Sequence, residues 1–260
     1  MGQRLENARN LYLEAIRDGA AADAINKYSG DRYTQHSTPV KDGREGFIEF
    51  FAEFQRRNPI RNIEIVRGFE DGRYVFLHVV QTLNNGEHRY VTADIFDTDD
   101  DAKMIEHWDI IAELVDDTVS GHSQVDGTAE PTDLHSTEPN KALVAAFITD
   151  VLTDGDLDKL TDYISIATFI QHNPHIADGI DGLTAFIGGL AADGKTLVYK
   201  RTDLVIGRGN FVAALSEVDL GGTAMAVIDL FRLTDGHIVE HWDVMEEIPP
   251  IDTWVNSGKF

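Results

Sequence analysis

The sequence predicts an α+β protein built twice over, each copy placing N-terminal helices on a curved antiparallel sheet. Three observations point there: a long pattern recurs at a fixed shift, each copy opens with apolar residues at helical spacing, and each closes with strand-like segments joined by hairpin turns. YTQHSTPVKDGREGFIEFF from Tyr33 returns as FIQHNPHIADGIDGLTAFI from Phe169, 136 residues on. DIFDTDDDAKMIEHWDI from Asp94 returns as DLFRLTDGHIVEHWDV from Asp229, and Asp18-Gly19 returns as Asp154-Gly155. The same landmarks in the same order are explained by duplication of a whole domain.

The first helix of each copy follows from its apolar spacing: Leu5, Ala8, Leu11, Tyr12, Ala15 and Ile16, then Leu143, Ala146, Phe147, Ile148, Val151 and Leu152. Gly19 and Gly155 follow the last turns as C′ residues, and Thr137 before Glu138-Pro139 reads as an N-cap. Two more helices are expected per copy, over residues 21–28 and 45–57, and over 157–163 and 183–192. Strands follow at 63–69, 74–83, 88–96 and 104–113, separated by Asp71-Gly72, Asn84-Asn85-Gly86 and an acidic turn. The second copy repeats the turns as Arg208-Gly209, Gly221-Gly222 and Asp235-Gly236.

Residues 1–115 form the first expected domain and 140–260 the second, which ends in a short C-terminal tail. Between them, 116–139 holds Gly, Ser, Thr and Pro with six acids and no Lys or Arg, the composition of an exposed acidic linker. Against 45 acidic residues the chain has 22 basic ones, a net charge of −23 that repels phosphate backbones and anionic lipid surfaces. Neither nucleic acid nor a membrane is expected as a partner. With no cysteine there is no disulfide, thiolate metal site or cysteine nucleophile, which fits a reducing compartment. The opening residues lack the apolar stretch of a signal peptide, and a soluble, cytoplasmic protein is expected.

Gln35-His36 and Gln171-His172, followed by Asp42-Gly43 and Asp178-Gly179 and closed by EHWD at 106–109 and 240–243, resemble the SnoaL-like polyketide cyclase group. The resemblance covers both copies. It implies the cone-shaped fold shared with nuclear transport factor two, ketosteroid isomerase and scytalone dehydratase, in which sheet and helices enclose a cavity. It also implies a cavity aspartate acting as acid/base. Because such cones host cyclases, isomerases, dehydratases and non-catalytic binders, activity has to be argued from the site.

Alternation puts His107 and Asp109 on one face of the last strand and Glu106 and Trp108 on the other, with His241 and Asp243 likewise against Glu240 and Trp242. If the His/Asp face lines the cavity, a carboxylate desolvated there could move a proton at carbon. The competing reading packs the tryptophans in the core and turns the His/Asp pair outward. Asp94 and Asp229 sit mid-strand among apolar neighbours, where an unpaired charge is costly, so they are either compensated by a partner or kept for chemistry. His36 and His172, with Tyr33, Gln35 and Gln171, are placed at the cavity rim, as loop anchors or substrate contacts. Trp108 and Trp242 join them as candidate substrate contacts. His78 shares an apolar strand face with Tyr74, Phe76 and Val80, and Leu215 takes its place in the second copy. If His78 faces the cavity, the first pocket is the more polar and more reactive.

His36, His78, His107 and Asp94 could converge as a metal site, but no tight ligand spacing supports one, and no metal is expected. Neither a phosphate-binding glycine loop nor a nucleophile elbow occurs in a strand-to-helix setting, so no cofactor is expected. The reading is cofactor-free acid/base catalysis on a small apolar carbonyl compound, against a non-catalytic binder of a hydrophobic ligand or of protein. The partner classes expected are a small apolar molecule, an internal pseudo-dimer of the two copies and a further homodimer.

Overall fold

A computed structural model describes residues 2–260. The chain divides into two compact units, one of residues up to Leu114 together with Pro249–Phe260, the other Val115–Ile248.

In the first unit α1 (Gln3–Tyr12) runs into a π-helical turn at Leu13–Arg17 and is followed by α2 (Ala21–Tyr28), β1 (Ser29–Gln35) and α3 (Gly43–Arg57). The long strands β2 (Arg61–Asp71), β3 (Tyr74–Leu83), β4 (His88–Thr98) and β5 (Met104–Glu113) complete it. The second unit runs through α4 (Thr137–Phe147), a π-helical turn at Ile148–Thr153, α5 (Leu160–Tyr163), β6 (Ile170–Gln171) and α6 (Gly179–Ala192). Its sheet is completed by β7 (Leu197–Arg208), β8 (Phe211–Leu220), β9 (Thr223–Thr234) and β10 (His237–Glu247). The strand orders are β1-β5-β4-β3-β2 and β6-β10-β9-β8-β7, the same topology in both units.

Alternation of β-branched and aromatic residues makes these strands, and positive-φ turns make the hairpins. At the β9–β10 turn Asp235 (φ 49°) and Gly236 (φ 74°) both take the left-handed conformation, as a type I′ hairpin turn requires. Register shifts within β2 and twice within β7 mark bulges, which bend a sheet and increase its twist. On the concave side Val75, Leu77 and Val79 pack with Ala8, Leu11, Ala15, Ile25 and Phe47 of the helices.

The sheets are mixed rather than purely antiparallel. β1 pairs in parallel with β5, setting Gln35 beside His107, and β6 pairs in parallel with β10, setting Gln171 beside His241. These edge strands are short and polar, so they carry no hydrophobic alternation to announce them. Thr137 is the first helical residue of α4 rather than its cap, and its hydroxyl accepts from Gly209 N at 2.8 Å.

The acidic stretch 116–139 is not a free connector. It belongs to the second unit, where Val119 N donates to Pro174 O, and Thr132 and Asn210 exchange two hydrogen bonds. Reciprocally, the tail after β10 belongs to the first unit, where Val255 N donates to Thr38 O and Asn256 Nδ2 to Ser37 O and Val40 O. Each unit is thus strapped by the segment that follows the other unit's last strand. Among the described residues no helix is long and apolar enough to cross a membrane.

Candidate active site

Each unit encloses a cavity of about 100 Å³ between its concave sheet face and its helices. In the first, Phe47, Phe50, Phe51 and Phe54 of α3 form one wall, while Asp94, His107 and Asp109 form the polar floor. In the second, Phe169, Leu183, Phe186 and Phe231 contribute the apolar wall and Asp229, His241 and Asp243 the floor. The floor follows from register. Asp94 lies directly opposite Asp109 and Phe96 opposite His107, and the second sheet pairs Asp229 with Asp243 and Phe231 with His241.

The buried, mid-strand Asp94 is compensated in this way. Its Oδ1 lies 3.0 Å from His107 Nε2, and Oδ2 accepts from Thr92 Oγ1 at 2.7 Å. With the Thr92 hydrogen used there, Tyr12 donates its hydroxyl to Thr92 at 3.0 Å, and Gln81 Nε2 donates to Tyr12 at 2.8 Å. A directed chain of hydrogen bonds therefore ends on Asp94. On the far side of the ring, His107 Nδ1 lies 3.1 Å from Gln35 Oε1. Burial, then the neighbouring Asp109, raises the Asp94 pKa against the opposing pull of His107 and Thr92.

In the second unit His241 is held identically, Nε2 at 3.0 Å from Asp229 Oδ1 and Nδ1 at 3.0 Å from Gln171 Oε1. The remaining partners differ. Tyr199 donates to both oxygens of Asp229, at 3.1 and 3.0 Å, and Asn173 Nδ2 donates to Asp243 Oδ2 at 2.7 Å. Asp243 is pushed up by burial and by Asp229. Burial lowers His241, but the Asp229 hydrogen bond and the charges of Asp243 and Asp229 outweigh it and hold the imidazole above its ordinary value.

These shifts give stability a direction in pH. A raised imidazole contributes stability that is present below its unfolded value of ~6.5 and lost as pH rises through the higher folded one. Buried carboxyls with raised values act in the same sense, since the folded state holds their protons more tightly. In His241→Gln the loss of melting temperature relative to wild type is therefore expected to be larger near about pH 5.5 than near about pH 8.5, measured by thermal unfolding at both.

Of the residues singled out in the sequence, Tyr33, Gln35, Gln171, Asp94, His107, Asp109, Asp229, His241 and Asp243 line the cavities. His36, His172, Trp108 and Trp242 do not. Each of these histidines stacks on its tryptophan, with ring centroids 4.7 Å apart for His36–Trp108 and 4.6 Å for His172–Trp242. His36 Nδ1 donates to Gly258 O and His172 Nδ1 to Ser123 O, both at 2.7 Å, so they anchor the straps. Their Nε2 atoms face Glu106 and Glu240. Although burial raises Glu240, hydrogen bonds from His172 and Arg232 hold it below its ordinary value.

His78 also falls outside the cavity, because the neighbours Leu77 and Val79 take the concave face and strand alternation turns His78 to the other. There Arg67 Nη1 donates to His78 Nδ1 at 2.9 Å, with both residues buried. The expected asymmetry from His78 against Leu215 therefore does not arise in the pockets. Replacing His78 by Leu is expected to cost about 1–3 kcal/mol in denaturant unfolding, the penalty for stranding a buried donor, with ligand affinity unchanged.

One ligand atom each from Asp94, His107 and Asp109 lie within 4.8 Å of one another, as do those of Asp229, His241 and Asp243. In both sets the histidine Nε2 is already hydrogen-bonded to an aspartate, an arrangement suited to sharing a proton. His36 and His78 contribute to neither set.

Residues 144–241 match the family model of the SnoaL-like domain. The match lies within the second unit. The first unit has the strand order of the second and the same Gln, Asp, His and Asp at matching registers. Similar solved structures include a candidate polyketide cyclase from Bacillus cereus, 19% identical, TM-score 0.38, covering 42% of this chain and 73% of that one. IdmH, a candidate polyketide cyclase from Streptomyces antibioticus, is 19% identical with a TM-score of 0.34 over 41% of this chain and 91% of its own. A candidate ketosteroid isomerase from Kribbella flavida is 15% identical with a TM-score of 0.36 over 44% and 84%. No curated protein matches the chain.

Proposed function

We propose that the first unit is a cofactor-free acid/base catalyst acting on a small apolar carbonyl compound. The reaction class is proton transfer at carbon, as used in aldol-type cyclisation, isomerisation or dehydration. One observation carries this reading. In a cavity with a phenylalanine-rich wall, Asp109 Oδ1 and the Tyr33 hydroxyl are buried without a hydrogen-bond partner. Buried polar atoms are rarely left so, and a ligand offering one acceptor and one acidic hydrogen would satisfy both.

The chemistry follows from the pair. Asp109 Oδ1 takes the proton α to a carbonyl, the C–H electrons move into the enolate, and the developing oxyanion accepts the Tyr33 hydrogen bond. His107, steered by Gln35 and Asp94, stands beside both to pass the proton on. The volume limits what fits: about 100 Å³ is smaller than the ~150 Å³ cavity that holds one benzene. Only the reacting end of a larger ligand would enter.

The second unit supports a binding role better than a catalytic one. Phe169 stands where the first has Tyr33, Tyr199 occupies Asp229, and Asn173 occupies Asp243. Deuterium uptake at the α-carbon of single-ring ketones in heavy water tests the proposal. Uptake by wild type that disappears in Asp109→Asn and persists in Asp243→Asn supports it. Equal uptake in wild type and Asp109→Asn rejects it.

A further inference from the structure

The tail that straps the first unit ends by burying a cation. Lys259 is only 3% exposed, its Nζ donates to Asp109 O at 2.6 Å, and it stands 3.6 Å from Asp109 Oδ1, the oxygen with no hydrogen bond. Burying an ammonium is costly unless a negative charge answers it, and Asp109 is a carboxylate within reach. The approach is built in. Gly258 (φ 125°) takes a conformation that favours glycine, a Cβ there would meet Trp254 at 2.8 Å, and its carbonyl is pinned by His36.

The second unit has no counterpart. Its strap passes the equivalent histidine through Ser123, and the next residue, Gln124, turns its side chain back to accept from Val115 N. Among the described residues no Lys or Arg pairs with Asp243, which takes a neutral amide instead.

We propose that Lys259 is a positioning residue of the first site: its ammonium holds Asp109 as a carboxylate aimed into the cavity, so that the C-terminal strap makes the first pocket the proton-taking one. This rests on reading Asp109 as the proton-transfer group. In the second pocket, without the cation, burial and the neighbouring Asp229 push Asp243 up. Other groups facing Asp109 act against the cation or share its proton: Asp94 from β4, His107 from β5, Tyr33 from β1 and Tyr12 from α1.

The test is a carbon-13 titration of the side-chain carboxyls of the full chain, with Asp109→Asn and Asp243→Asn assigning the two signals. Lys259→Gln removes the charge and leaves an amide donor, on a side chain one bond shorter, beside the Asp109 carbonyl. The Asp109 signal is expected to titrate at higher pH in Lys259→Gln and to return to the wild-type position in Lys259→Arg, with the Asp243 signal unmoved in both. An Asp109 signal that titrates identically in wild type and Lys259→Gln would overturn the proposal and leave Lys259 as an anchor for the strap. The titration needs no substrate. Absence of α-carbon exchange, with the Asp109 shift present, therefore rejects the catalytic reading separately.

Discussion

Asp109→Asn is expected to lower turnover by ~10² to 10⁴, the range for losing a general acid/base group, and to lose some stability by leaving the buried Lys259 ammonium unanswered. The substitution is nearly isosteric, and it removes the one oxygen of the floor that is buried without a hydrogen bond. Tyr33→Phe should also cost rate, by up to ~10² to 10³ if the hydroxyl serves the oxyanion, and should do so in turnover rather than in ground-state affinity. Stability should hardly fall, because the hydroxyl has no partner in the resting protein and its ring stays packed against Phe47 at 5.8 Å. The measurement is steady-state kinetics on the best ketone from the exchange panel, beside denaturant unfolding. Should Tyr33→Phe lose stability but no rate, the hydroxyl has a structural role and the oxyanion must be assigned elsewhere.

That His107 and Asp109 share one face was legible from strand alternation alone, because a period of two forces every second side chain to the same side, but that this face lines the cavity was not. The need for a partner at Asp94 and Asp229 was equally legible, since a charge among Ala93, Ile95 and Phe96 has to be answered. Which partner was not. His107 reaches Asp94 across a hairpin, and Gln35 reaches His107 across a separation of 72 residues. A two-residue strand such as β6 leaves no periodic trace. Tyr12 shows why the floor's second layer stayed hidden: at helical spacing it reads as core, and its hydroxyl matters only once β3 and β4 bring Gln81 and Thr92 to it. Alternation fixes the strand face of His78 but not its surroundings, for the strand pattern gives two faces without saying which one the helices cover. Lys259 had no local signature at all. Its importance comes from the path of a tail that leaves β10 and closes on the other unit.

Trp242→Ala is expected to destabilise the second unit by about 3–5 kcal/mol, the range for truncating a fully buried aromatic. The indole is among the largest fully buried side chains, stacks on His172 at an interplanar angle of 7°, and donates Nε1–H to Asp126 O at 3.0 Å. The strap runs so close that a Cβ at Gly127 (φ 88°) would lie 2.9 Å from the indole and 2.4 Å from a Glu240 oxygen. Removing the ring therefore opens a cavity and takes away the surface against which 123–127 is held, while His172 keeps its charged partner and loses its stacking face. Trp108→Ala should cost less, because that indole is more exposed. Trp242→Phe restores most of the volume without the indole N–H and should recover a good part of the loss. Urea unfolding of the three variants gives the order, and titration with an apolar probe gives the second readout. Probe affinity is expected to be unchanged in Trp242→Phe, since the indole lies outside the cavity lining. A Trp242→Phe protein of wild-type stability but weakened probe binding would return the tryptophan to the ligand site and displace His172 from its role as anchor of the strap.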